Sequence, residues 1–345
     1  MFKQYAMTIP GAPLVLAAGV FAAVTGAAPL ASHSVQAKEL KLAHWMSPRH
    51  SMHRYIMEPW TKQIAKATGG KFTVKIYPGG ALGKGPVAQY KRAVDGIADI
   101  TFGLPGFTAS LFKRTGIIEL PGVTNSGPDG SEKLWKAMKL IEPEWKKVKI
   151  LGLWVGESQI FMTKNKPIRK MSDLKGMKIR TPSKVQAEIV AAWGATPVPM
   201  PITRVYNALN TGVIDGVLTG ASTIRSFKFG EVAKYYTRGL PTIRSPFFIV
   251  MNRNSWNKLT ADQKKLIEST TGKALSMKAG GIYDGETEKS LNTVRNTGKH
   301  EIITLSAEET AKLTKAALAF RKAKVAAMEK AGIPAGKILA AMGVK

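Results

Sequence analysis

Short apolar strands alternate with helix-length segments, and this alternation restricts the fold more than any other feature of the sequence. Leu40 and Leu42 alternate with the polar Glu39 and Lys41, and a helical stretch follows from about Ser51 to Thr68, closed by Gly69-Gly70, with Pro59 as a kink. Phe72, Val74 and Ile76 alternate again, Val87, Tyr90, Lys91 and Val94 share related helix faces, and Ala98 to Gly103 forms a third strand. The unit is β-α-β-α-β. Right-handed crossovers place its strands in one parallel sheet, which opens a ligand crevice at their carboxyl ends.

A second set of elements begins near Lys149. Ile150 to Trp154, Gln159 to Lys164 and Met177 to Arg180 read as strands. Ser183 to Trp193 reads as a helix with Ser183 and Gln186 as a capping box. Thr203 caps a helix to Thr211, Gly212 stops it, and Val213 to Thr219 continues into a strand. Pro246 to Asn252 is apolar enough to be a buried strand crossing between two sheets. From Thr260 the chain is mostly helical, with further capping boxes at Thr260/Gln263 and Ser306/Glu309. Two α/β domains joined by more than one crossing leave a cleft suited to hinge closure on a small ligand.

Composition agrees with a folded chain. The 345 residues include no cysteine and are 44% hydrophobic, and no apolar stretch long enough to span a bilayer follows the first forty residues. The first 37 residues hold Lys3, no acidic residue, an apolar run from Leu14 to Ala31 and then Ser34-Val35-Gln36-Ala37, which reads as a signal peptide cleaved before Lys38. The alternative is an uncleaved anchor helix. Fifty-one basic residues against 23 acidic ones make the chain strongly cationic, with a net charge of +28. Export argues against a nucleic-acid partner, so the charge reads as solvated surface that draws anions, or as the footprint of a polyanion-binding module.

Catalytic signatures are missing. The glycine-rich run from Tyr77 to Gly85 puts Pro78 where a phosphate loop needs its first glycine and Gly85 where it needs Ser or Thr, so it reads as a turn at the cleft edge. Neither G-x-S-x-G nor H-E-x-x-H occurs. His44, His50 and His53 lack a carboxylate or cysteine at ligand spacing, and no metal or cofactor is expected. Arg180, at a strand end just before a helix N-terminus, is the candidate partner of an organic carboxylate. A structural ion pair with an Asp or Glu is the competing role.

Four runs together resemble one family, the solute receptors of tripartite ATP-independent periplasmic (TRAP) transporters, of the dicarboxylate-receptor type. They are Phe72 to Gly83, Ile118 to Gly122, Asp173 to Pro182 and Val205 to Gly216, and the likeness runs from about Leu40 to about Gly272. The resemblance implies an α/β, two-domain periplasmic-binding-protein-like fold with a ligand cleft between the lobes and a helical C-terminal part. It also implies a long helix spanning both domains and a carboxylate paired with Arg180. The expected division is a signal peptide over 1–37, a first lobe over 38–160, a second over 161–250 and a helical region over 251–345. Where many relatives carry a second arginine this chain has Gln159, and Val217-Leu218-Thr219-Gly220 replaces a common Gln-Glu-Asn-Pro run. With one cation fewer, a monocarboxylate with an apolar or aromatic body is expected.

The expected ligand residues are therefore Arg180, Gln159, Thr219, Trp154 as an apolar wall, and Ser183, which is alternatively only a helix cap. The expected role is a periplasmic receptor that delivers an organic acid to TRAP permease subunits, does not itself span the membrane after signal cleavage, and catalyses nothing. A periplasmic enzyme on a similar fold is the rival reading.

Overall fold

The computed structural model describes residues 38–344 apart from 296. The expected signal peptide lies outside the described residues. Ten strands form the framework: β1 (Lys38–Ala43), β2 (Phe72–Tyr77), β3 (Ile100–Gly103), β4 (Val148–Thr163), β5 (Lys178–Thr181), β6 (Thr196–Pro199), β7 (Gly216–Gly220), β8 (Tyr235–Arg238), β9 (Arg244–Asn252) and β10 (Glu301–Thr304). Their order is β2-β1-β3-β9-β4-β7-β5-β6, with β8 on β4 and β10 on β8.

The first lobe follows its sequence pattern. Leu40, Leu42, Phe72 and Val74 are buried while Glu39 and Lys41 stay at the surface, and β1 runs parallel to both β2 and β3. The expected helix from Ser51 is split into a π-helical turn, His53–Met57, and an α-helix, Glu58–Ala67. Pro59 lies in the first turn of the latter and has no N–H to donate, so the ladder widens there.

The two strands expected at Ile150 to Trp154 and Gln159 to Lys164 are one strand of 16 residues. Register shifts between Ile150 and Gly152 and between Val155 and Ser158 explain the broken alternation. A bulge lets the polar stretch Gly156-Glu157-Ser158 remain in a strand that bends from one lobe into the other. β9 runs antiparallel to both β3 and β4, so β4 and β9 lie side by side as crossing strands.

Local signals fared unevenly in the second lobe. The helix Ile202–Asn210 has Pro201 at its cap and no side-chain cap, so Thr203 does not serve as one. Ser183 caps the helix Lys184–Ala192 by accepting from Gln186 N–H. Gln186 does not return the bond: its amide goes to Glu119 and Ser245. The Thr260/Gln263 box is complete, whereas Glu309 turns to Met171 N–H instead of closing its box.

The helix Gly272–Arg295 has 24 residues, about 36 Å of helix. Ser276 Oγ accepts from Leu153 N–H of β4, and Asp284 binds Arg244 at the start of β9, so this helix packs along both crossing strands.

Candidate functional site

A cavity of about 60 Å³ lies where β4, β5, β7 and β9 meet the loop after β1 and the helix Gly272–Arg295. Its apolar walls are Trp45, Leu104, Phe107, Ile202, Phe227 and Phe247. Arg180, Gln159, Thr219, Ser245, Glu157, Ser222, His50 and Tyr283 supply polar groups.

Arg180 is the penultimate residue of β5, in register with Val198 of β6 and Val217 of β7. It is 1% exposed. Its Nε donates to Met200 O at 2.9 Å, and no carboxylate forms a salt bridge with it among the described residues. Burial pulls its pKa down to about 9, which leaves it charged at neutral pH. A buried cation without a counter-ion is costly, and an anion entering the cavity removes that cost.

Gln159 and Thr219 both line the cavity from neighbouring strands, Gln159 opposite Gly220 and Thr219 opposite Ile160. Gln159 Nε2 reaches Ser245 Oγ at 3.3 Å while its Oε1 is buried without a partner. A chain of bonds continues inward: Gln186 Nε2 donates to Ser245 Oγ and to Glu119 Oε2, each at 2.9 Å, and Ser183 Oγ donates to the same Glu119 oxygen at 2.5 Å. Burial pushes the Glu119 carboxyl up to about 7. The Ser183 and Gln186 side chains at the start of the helix behind Arg180 are thus held by the protein's own carboxyl.

Trp154 and Ser183 lie outside the cavity lining. Trp154 is fully buried, stacked at 6.2 Å on Phe247, so the wall expected from Trp154 is presented by Phe247 in front of it. Ser183 is spent on its cap and on Glu119. The Tyr77 to Gly85 run also misses the cavity: Gly79 and Gly80 N–H bind Met46 O and His44 O, and Arg92 binds Lys84 O and Gly85 O.

The histidines divide. His44 Nε2 and His53 Nδ1 meet at 2.9 Å, whereas His50 turns into the cavity between Phe227 and Tyr283. Glu157, His50 and Tyr283 were not anticipated as site residues. Glu157 lies two residues from Gln159, the spacing that puts two side chains on one face of a strand, next to the register shift between Val155 and Ser158.

Residues 42–326 match the model of bacterial extracellular solute-binding protein family 7, DctP. The chain belongs to this family. Its DctP-family relatives include the C4-dicarboxylate-binding periplasmic protein DctP of Rhodobacter capsulatus, 28% identical over 71% of this chain and 74% of the relative. Among solved structures, a TRAP solute-binding protein from Rhodoferax ferrireducens in complex with copurified benzoate superposes with a TM-score of 0.85 at 27% identity, covering 88% of this chain and 96% of the other. A TRAP periplasmic solute-binding protein from Bordetella bronchiseptica with bound (R)- and (S)-mandelate gives 0.81 at 26% identity, covering 88% and 97%. The fold is the two-lobed one of these receptors, and no helix among the described residues is long and apolar enough to cross a membrane.

Proposed function

We propose that this DctP-family protein is a periplasmic receptor that binds an aromatic monocarboxylate through Arg180 and hands it to a TRAP permease without transforming it. The observation that carries the reading is the buried Arg180 guanidinium, without an ion pair among the described residues, on a cavity walled by aromatic rings. Two relatives of matching fold hold benzoate and mandelate, each an aromatic acid with a single carboxylate.

A dicarboxylate fits less well. Among the described lining residues Arg180 is the only Arg or Lys, and Gln159 offers an amide where a second cation would be needed. A second carboxylate would also meet Glu157, an acid already short of positive neighbours.

Thermal melting of the purified protein with benzoate, mandelate and succinate tests the reading, since a ligand selective for the folded state raises the melting temperature. The two aromatic acids are expected to raise it and succinate to leave it unchanged. A rise with succinate alone overturns the aromatic assignment.

A further inference from the structure

Three polar groups in the cavity have hydrogen-bonding capacity that no described residue uses. Glu157 stands at the β4 bulge, with its carboxyl packed over Gly220 so closely that any side chain at 220 would overlap it. Its Oε1 accepts from Ser222 Oγ at 2.5 Å and Ser222 N–H at 3.1 Å. Its Oε2 has only Thr287 Oγ1, at 3.5 Å. No cation is paired with Glu157 among the described residues, and its charged surroundings are acids: Asp284, held by Arg244, and Glu286, held by Arg225 and Lys289. Burial first, then those acids, pushes its pKa up to about 8. The neutral carboxyl carries its proton on the oxygen left open, Oε2, because Oε1 already takes two donors.

His50 Nδ1 accepts from Met52 N–H at 3.2 Å, which assigns the ring proton to Nε2. Burial, and next His53, pull its pKa down to about 4, so the ring is a neutral donor. No protein group among the described residues takes that N–H. Tyr283, on the helix Gly272–Arg295, stacks on Phe247 at 5.0 Å and keeps its phenol proton, because burial and Glu157 hold its pKa far above 10. Its hydroxyl has no hydrogen bond among the described residues either.

We infer that Glu157, His50 and Tyr283 form a second recognition point, which binds a neutral hydroxyl or carbonyl oxygen carried by the ligand away from the carboxylate held at Arg180. The inference rests on the aromatic-acid reading above. A bound acid with only C–H at this corner strands desolvated donors, which costs more than a hydrogen bond gains. A ligand hydroxyl accepts from Glu157 or His50 and donates to the Tyr283 oxygen. A second carboxylate is refused by the acids around Glu157. Specificity therefore separates substituted acids from their parents, as sites with buried polar groups do.

Calorimetric titration at pH 6.5 with benzoate, the 2-, 3- and 4-hydroxybenzoates, phenylacetate and mandelate tests it, on the parent protein and on Glu157→Gln, Glu157→Ala and His50→Phe, each checked for folding by circular dichroism. At least one hydroxylated acid is expected to bind about tenfold or more tighter than its deoxy parent, one hydrogen bond to a desolvated group. Glu157→Gln, which keeps a donor, is expected to retain most of that ratio, whereas Glu157→Ala and His50→Phe shrink it toward one. At pH 9 the ratio is expected to fall in the parent protein and to persist in Glu157→Gln. Aromatic acids that bind with no preference for hydroxyl overturn this inference alone, as does an equal loss for both members of a pair. If no aromatic acid binds, the inference falls together with the reading beneath it.

Discussion

Gly127 and Gly280 pack backbone against backbone, so a Cβ built on Gly280 would lie 2.5 Å from both the carbonyl carbon and oxygen of Gly127 and 2.8 Å from Ser131 Oγ. The helices Gly127–Lys136 and Gly272–Arg295 meet at this point. Beside it Asp284 accepts from Gly127 N–H and from Arg244, each at 2.5 Å. The contact joins the long helix to the first lobe and places Tyr283 on the cavity.

Gly280→Ala is therefore expected to destabilise the fold by about 1–3 kcal/mol, the usual cost of overpacking, despite the better helix propensity of alanine. Urea denaturation measures it. An unchanged or higher midpoint would show that the helices separate at no cost.

Arg180→Ala is expected to weaken binding of the best aromatic acid by roughly 2–5 kcal/mol, about 30-fold to several thousand-fold, because the closed cavity then holds a carboxylate without its cation. Arg180→Lys recovers only part, since an ammonium lacks the planar fork. Gln159→Ala costs about 0.5–1.5 kcal/mol, the net worth of a neutral hydrogen bond. Calorimetry on folded variants gives the order, and parent-like affinity in Arg180→Ala would make the arginine structural.

Stability is expected to peak at about pH 5–6.5. Burial raises Glu119 from 4.5 to about 7 and Glu157 from 4.5 to about 8, so the folded chain keeps protons that the unfolded chain releases, and stability declines as pH climbs from 4.5 to 8. Burial lowers His44 from 6.5 to about 3 and His50 to about 4, so the unfolded chain takes up protons that the folded chain refuses, and stability also declines as pH drops below 6.5. Between 4.5 and 6.5 the two trends oppose each other. Thermal melts at pH 3.5, 5.5 and 8.5 are expected to be highest at 5.5, with the alkaline decline reduced in Glu157→Gln. A melting temperature that rises steadily to pH 8.5 contradicts this assignment.

Residues whose role depends on near neighbours were legible in the sequence alone. The alternation of Leu40, Leu42, Phe72 and Val74 marks strands because side chains in a strand point to opposite faces with a period of two. Ser183 reads as a cap because its partner is three residues away. Arg180 stands out at a strand end before a helix. Tertiary structure alone decided what these residues face. Trp154 lies behind Phe247, a residue 93 positions away that pairs with it across β4 and β9. Glu157 faces the cavity that Ser222, Tyr283 and Phe247 close from distant segments, and His50 lines it with its ring held by Met52 N–H. Among the described residues Arg180 lacks an ionic partner, and Glu157 lacks a cation, because no opposite charge from a distant described segment folds against either. Burial and partnership are sums over the whole fold, and they determine which of the chain's many charges are left for a ligand.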